Sequence, residues 1–133
     1  MKPTTAVVIL NWNGTQWLEK FLPSVVTHSS EAKIYVIDNH SDDDSVVFLQ
    51  KNFPTIKIVQ NDKNYGFAGG YNVGLRKIEA EYYCLLNSDV EVTENWILPV
   101  IELFEAHPEI AAIQPKILSY HQNDPFEFAG AAG

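Results

Sequence analysis

An α/β fold built on a mostly parallel sheet is what this sequence predicts, and three observations carry the prediction. Strand-like and helix-like segments alternate at a spacing of roughly 25 residues, the rhythm of βαβ units. The strand-like runs are continuously apolar rather than alternating, which suits strands covered on both faces. Short polar residues then gather where those runs stop, at Asn11, at Asp38-Asn39 and at Asn87.

Thr5-Ala6-Val7-Val8-Ile9-Leu10 is rich in β-branched residues and reads as the first buried strand, broken by Asn11-Trp12-Asn13-Gly14. Trp17, Leu18, Phe21, Leu22, Val25 and Val26 then recur at helical spacing, with Pro23 inside the pattern predicting a kink or restart. Lys33-Ile34-Tyr35-Val36-Ile37 is the second strand. Ser41 to Asp44 offers N-cap side chains to a helix carrying Val46, Val47 and Leu49. Ile56 to Val59 is a short third strand, followed by a polar glycine-rich loop from Asn61 to Gly70 and a helix with Val73, Leu75 and Ile78. Tyr82-Tyr83-Cys84-Leu85-Leu86 is the fourth strand, Trp96 to His107 a helix, and Ile110 to Ile113 the start of a fifth strand. Right-handed crossovers place all the strand C-terminal ends along one edge, where such sheets bind ligands.

At 133 residues the chain is expected to form one domain with a genuine core. Hydrophobic residues make up 46% and charged residues 20%, which excludes a disordered or collagen-like chain. The single cysteine, Cys84, builds neither an internal disulfide nor a cysteine-based zinc site and reads as a small buried apolar residue. The apolar runs fall far short of a membrane span, and Met1-Lys2-Pro3 leads into a strand without a signal-peptide pattern. The expectation is therefore a cytoplasmic chain. A formal net charge of −8 argues against nucleic acid as a partner. The first 66 residues carry 6 basic and 7 acidic groups and the remainder carry 3 and 10, so a phosphorylated ligand near the second half needs a divalent cation as a screen.

Function concentrates at the strand ends. Asn11 and Asn13 follow the first strand; Asp38, Asn39, Ser41 and Asp42 follow the second; Asn87, Ser88, Asp89 and Glu91 follow the fourth. Such residues dominate turns and caps for backbone reasons, and Asp43 and Asp44 are read as nothing more. Three clusters at three ends of one sheet ask for a further explanation. Asp89, with Glu91 two residues on, offers oxygen ligands to Mg²⁺ or Mn²⁺ while leaving positions for diphosphate oxygens. Asn64-Tyr65-Gly66-Phe67-Ala68-Gly69-Gly70 has the composition of an anion-cradling loop, yet it is neither a Walker A loop nor a G-x-G-x-x-G fingerprint. His28, His40, His107 and His121 show no paired metal spacing, and no G-x-S-x-G elbow occurs.

Val7 to Gly14, Val36-Ile37-Asp38-Asn39-His40-Ser41-Asp42, Asn64 to Gly74 and Leu85-Leu86-Asn87-Ser88-Asp89-Val90-Glu91, in that order and spacing, resemble the family 2 glycosyltransferases, and within them the bacterial rhamnosyltransferase-like branch. The resemblance implies a GT-A fold, a Rossmann-like α/β/α sandwich, and inverting sugar transfer from a nucleotide sugar with a divalent metal. Residue by residue it implies Asp38 on the nucleotide base, helped by Asn11, Asn13 and Asn39. Gly66, Gly69 and Asn72 would lie near the nucleotide and donor sugar, Asn87 near the ribose, and Asp89 on the metal with Glu91 as a further donor. Asn87 stands where the family's Asp-x-Asp segment has its first acid, so Asp89 is the one carboxylate of that segment here.

The family's general base lies well downstream of that segment. Here the late carboxylates Asp124 and Glu127 match no such motif, so the base is expected beyond Gly133 and the chain is expected to be the donor-binding half of a longer enzyme. Self-association through apolar surface near Tyr120, Phe126 and Phe128 is expected with it. The resemblance further implies a dTDP-, UDP- or GDP-sugar donor, a glycan or lipid-linked acceptor in cell-envelope polysaccharide synthesis, and peripheral placement at the inner membrane face. Two alternatives stand beside it. One is a non-catalytic nucleotide-sugar-binding module. The other is a sugar-phosphate nucleotidyltransferase, which wants a basic glycine-rich loop after the first strand where Asn11-Trp12-Asn13-Gly14 has no basic group.

Overall fold

The computed structural model describes residues 4–114 and Leu118. Its elements are β1 (Thr5–Asn11), α1 (Thr15–His28), β2 (Lys33–Asp38), α2 (Ser45–Asn52), β3 (Lys57–Gln60), α3 (Gly66–Leu75), β4 (Tyr82–Leu86) and α4 (Leu98–Ala106). The chain divides into two units, Met1–Leu98, which holds the sheet, and Pro99–Gly133, which takes nearly all of α4.

Four parallel strands lie in the order β3-β2-β1-β4. The chain steps from β1 to β2 to β3 in one direction, then returns across β1 to lay down β4 on its far side. Right-handed crossovers put α1 and α2 on one face, and the reversed step puts α3 on the other. The side chains agree. Ala6 and Val8 of β1 and Ile37 of β2 form a core with Tyr71 and Ile78, and Leu10, Tyr35, Val59 and Leu75 pack against it. The alternate residues Val7, Ile9 and Val36 are equally buried, toward the α1 face. This double covering is why the strand runs are unbroken in hydrophobicity.

α1 buries Leu18, Phe21, Leu22 and Val25, one stripe at i, i+3, i+4 and i+7. Of the predicted kink or restart at Pro23, the restart does not occur: α1 runs on through it to His28. Pro23 is exposed, so the one backbone donor it removes falls on the solvent side of the helix. The segment after β4 lies along α1, with the Val92 N–H donating to Ser24 Oγ at 3.2 Å and the Trp96 indole to Ser29 Oγ at 3.0 Å.

Three further expectations are corrected. The glycine-rich stretch is helical from Gly66 on rather than a loop to Gly70, and its helix ends at Leu75, before Ile78. Ile110 to Ile113 forms no strand. That run is half alanine, a poor strand former, and Pro115 follows close behind it. The later helix spans Leu98–Ala106 instead of Trp96–His107. Tyr120, Asp124, Phe126, Glu127 and Phe128 lie outside the described residues.

Candidate functional site

The reversal of strand order makes the C-terminal edge between β1 and β4 a topological switch point, the place where open α/β sheets take ligands. The residues after β1 and after β4 lie at that edge. The register brings the end of β2 level with the end of β1, since Asn11 pairs with Asp38.

Asn11, Asn13 and Asp38 come together in one hydrogen-bonded cluster. Asp38 is 3% exposed. Its Oδ1 accepts from Asn11 Nδ2 at 3.0 Å and from Ser41 Oγ at 2.7 Å, and its Oδ2 accepts the Ser41 N–H at 2.9 Å. Three of about four acceptor positions are thus used, leaving one on Oδ2. Asn13 has a left-handed backbone, φ 51°, and its Oδ1 accepts the N–H groups of Asp42 at 2.7 Å and Asp43 at 3.2 Å. Asn11 Oδ1 is buried without a partner among the described residues. It sits so close to Gly14 that a Cβ there would lie 2.7 Å from it, which explains a glycine at the entry to α1.

Asn39 belongs to a second cluster. Its Nδ2 donates to Asn64 Oδ1 and to the Gly66 carbonyl, both at 3.0 Å, and its Oδ1 accepts from Asn61 Nδ2 at 3.1 Å and the Tyr65 N–H at 3.2 Å. All four hydrogen-bonding positions of the amide are spent on protein. Asn39 therefore fastens the N-terminal turn of α3 to the end of β2. The glycines have a matching explanation. A Cβ on Gly70 would meet Asn39 Nδ2 at 2.8 Å and Leu10 Cδ1 at 2.9 Å, and one on Gly74 would strike Ile37, so α3 lies on the sheet at glycine distance. Only Gly66, at φ 79°, needs the left-handed backbone itself. Two N–H groups at the start of this helix are already capped, Tyr65 by Asn39 and Gly66 by Asn64 Oδ1 at 2.8 Å. Gly69 is half-buried and Asn72 exposed, both within α3.

Asn87, Asp89 and Glu91 are exposed on the segment after β4. Among the described residues no three or more His, Cys, Asp or Glu side chains gather as a metal site. An exposed Asp89 with Glu91 nearby fits a hard divalent ion that takes most of its oxygen ligands from a bound diphosphate and water. Cys84 is half-buried, and burial pushes its thiol up to about 11, so it stays protonated at neutral pH. One cluster member escaped the sequence reading, Asn61, 3% exposed; Ser41 was placed at the end of the second strand, but its part as the link between β1 and β2 was not foreseen. Asn61 follows β3 directly, as Asn87 follows β4, and that repeated strand-end amide was the signal available.

A family model described as glycosyl transferase family 2 matches residues 6–129. The chain belongs to glycosyl transferase family 2. The N-acetylgalactosaminyltransferase 6 of Drosophila melanogaster is 27% identical over 109 residues, covering 75% of this chain and 16% of that protein. Among solved structures, a mannosyltransferase from Pyrobaculum calidifontis in complex with GDP-Man and Mn²⁺ superposes with a TM-score of 0.64 at 18% identity, over 74% of this chain and 31% of its own. The S. aureus TarS structure in complex with UDP-GlcNAc gives a TM-score of 0.68 at 18% identity, over 86% of this chain and 40% of its own. The two solved structures share this chain's fold, the GT-A fold expected from its sequence, and the chain spans under half the length of each of the three proteins.

Proposed function

We propose that this chain is the donor-binding part of an inverting, metal-assisted glycosyltransferase that moves a sugar from a nucleotide-diphosphate sugar to a glycan or lipid-linked acceptor. The observation that carries the reading is the switch point, where the Asn11–Asn13 turn with its Asp38 cluster and the Asn87-Ser88-Asp89 turn follow adjacent strands at one sheet edge. The relatives' complexes with GDP-Man and UDP-GlcNAc support a nucleotide sugar as the ligand class.

In this reading the unused acceptor position of Asp38 takes an N–H of the base, and the exposed ring of Trp12 gives the base a stacking face. Asn87 contacts the ribose, and Gly66, Gly69 and Asn72 border the diphosphate and donor sugar. Asp89, with Glu91, holds the ion. A divalent cation bound there supplies Lewis-acid stabilisation of the departing diphosphate. The acceptor hydroxyl loses its proton to a base from outside the described residues and attacks the anomeric carbon from the opposite side. The reading includes a cytoplasmic site with peripheral placement at the inner membrane face, a role in cell-envelope polysaccharide synthesis, and self-association of this chain. The rhamnosyltransferase-like branch makes dTDP one of three nucleotides to compare.

The test is a thermal-shift panel of UDP, dTDP and GDP, each with and without Mn²⁺ or Mg²⁺. One diphosphate should raise the melting temperature in a metal-dependent way, lost in Asp89→Ala and weakened in Asp38→Ala. A ligand at ~100 times its Kd adds about 2.7 kcal/mol, several degrees for a domain of this size. No shift with any nucleotide overturns the reading. Metal-dependent binding without sugar transfer from this chain is expected, and robust turnover would refute its assignment as the donor half alone.

A further inference from the structure

We propose that Ser41 is a positioning residue for the nucleotide site: its hydroxyl locks the β1 turn to the end of β2 and so sets where Asp38 and Asn13 stand. The inference rests on the donor-site reading above. Ser41 Oγ donates to Asp38 Oδ1 at 2.7 Å, accepts the Asn13 backbone N–H at 2.9 Å and receives Asn11 Nδ2 at 3.4 Å, while its own N–H donates to Asp38 Oδ2 at 2.9 Å. A hydroxyl has one donor and two acceptor positions, and all three are occupied by protein. Ser41 therefore has no capacity for a ligand and acts through the groups it holds.

Those groups need holding. Asn13 at φ 51° and His40 at φ 67° both sit in the left-handed region, which side chains with a Cβ adopt infrequently, and Ser41 binds directly to the first and follows the second. Removing the hydroxyl strips the Asn13 N–H of its partner and takes from Asp38 one of the two donors that fix Oδ1. Asp38 keeps Asn11 and the Ser41 N–H, so the carboxylate stays in place but gains freedom to rotate. Its remaining acceptor position then loses a fixed direction. Affinity for a base that presents an N–H, and discrimination among such bases, should both fall.

Isothermal titration of the 133-residue chain with UDP, dTDP and GDP in the presence of Mn²⁺ tests this, alongside melting temperatures of the free proteins. Ser41→Ala is expected to weaken the tightest diphosphate about tenfold, equivalent to about 1.4 kcal/mol, and to narrow the spread among the three. Ser41→Thr, which keeps the hydroxyl, should restore both. Ser41→Cys, close in size but a poor hydrogen-bonding group, carries the same comparison if the alanine variant does not fold. A lowered melting temperature with affinities and their ratios intact would make Ser41 a merely structural residue and overturn the proposal. Absence of binding by the unaltered chain would overturn the donor-site reading itself, and this inference with it.

Discussion

Asp43 shows how much one side chain settles at the residue scale. It accepts from the N–H and hydroxyl of Thr15, at 3.3 and 2.8 Å, and from the N–H of Ser45 at 3.0 Å and the Ser45 hydroxyl. Thr15 opens α1 and Ser45 opens α2, so one carboxylate caps two helix N-termini, where backbone donors and the helix dipole favour negative charge. Burial pushes its pKa up, but the bonds from Ser45 and Thr15 outweigh that and hold it below the ordinary 3.8. A depressed folded pKa adds stability in full above the unfolded value and loses it as pH falls through the folded one. Asp43→Ala should therefore cost about 0.5–1 kcal/mol at neutral pH, the low end of cap substitutions because the site is exposed. In paired thermal melts from pH 6 down to pH 3 the gap between the two proteins should begin to narrow below the ordinary carboxylate value; a gap that stays constant would contradict the account. Asn39 is the buried counterpart. Asn39→Asp turns a donor that faces Asn64 Oδ1 and the Gly66 carbonyl into a charged acceptor, and should destabilise the fold by about 2–4 kcal/mol in urea melts.

At the scale of elements, α3 holds the clearest conflict between local preference and packing. Gly69, Gly70 and Gly74 all fall within the ten residues of α3, where each weakens the helix by up to about 1 kcal/mol relative to alanine. Propensity alone makes Gly74→Ala stabilising. Its added Cβ would stand 2.6 and 2.7 Å from Cγ2 and Cγ1 of Ile37, a buried residue of β2, so the expected outcome is a loss of about 1–3 kcal/mol from overpacking. A melting temperature equal to or above that of the parent chain would show that α3 can ride off the sheet. The glycines were legible in the sequence, but composition pointed to an anion-binding loop. Their contacts with Ile37, Asn39 and Leu10 exist only once helix and sheet are stacked.

For the molecule as a whole, net charge and topology act together. A charge of −8 opposes the approach of a nucleotide diphosphate, so affinity should depend on a divalent ion far more than on added monovalent salt. Titrating UDP, dTDP or GDP at fixed ionic strength, with Mn²⁺ and then with a chelator, should show binding only in the first case. Equal binding in both would remove the metal from the site. Asp89→Asn, which keeps the shape and removes the charge, should give the chelator result without altering the melting temperature of the free chain, because Asp89 is exposed. Among the described residues no helix is long and apolar enough to cross a membrane.

The four strands and the three helices joining them were readable from the sequence, because continuous β-branched runs and helical stripes are local consequences of burial on two faces. Family membership was readable too, since Asp38-Asn39, the glycine-rich stretch and Asn87-Ser88-Asp89 occur in order within one chain. Partnership was not readable. Asp38 and Asn39 are adjacent in sequence, yet one joins Asn11 and Ser41 under the β1 turn while the other joins Asn61 and Asn64 under α3. Successive residues leave a strand toward opposite faces, and what waits on each face is set by the crossovers rather than by neighbours in the chain. The sequence by itself determined the elements and the chemistry at their ends. Tertiary structure alone decided which polar groups are consumed in holding the edge together and which remain open to a ligand, because a hydrogen bond between residues some 25 positions apart forms only when the sheet has brought them level.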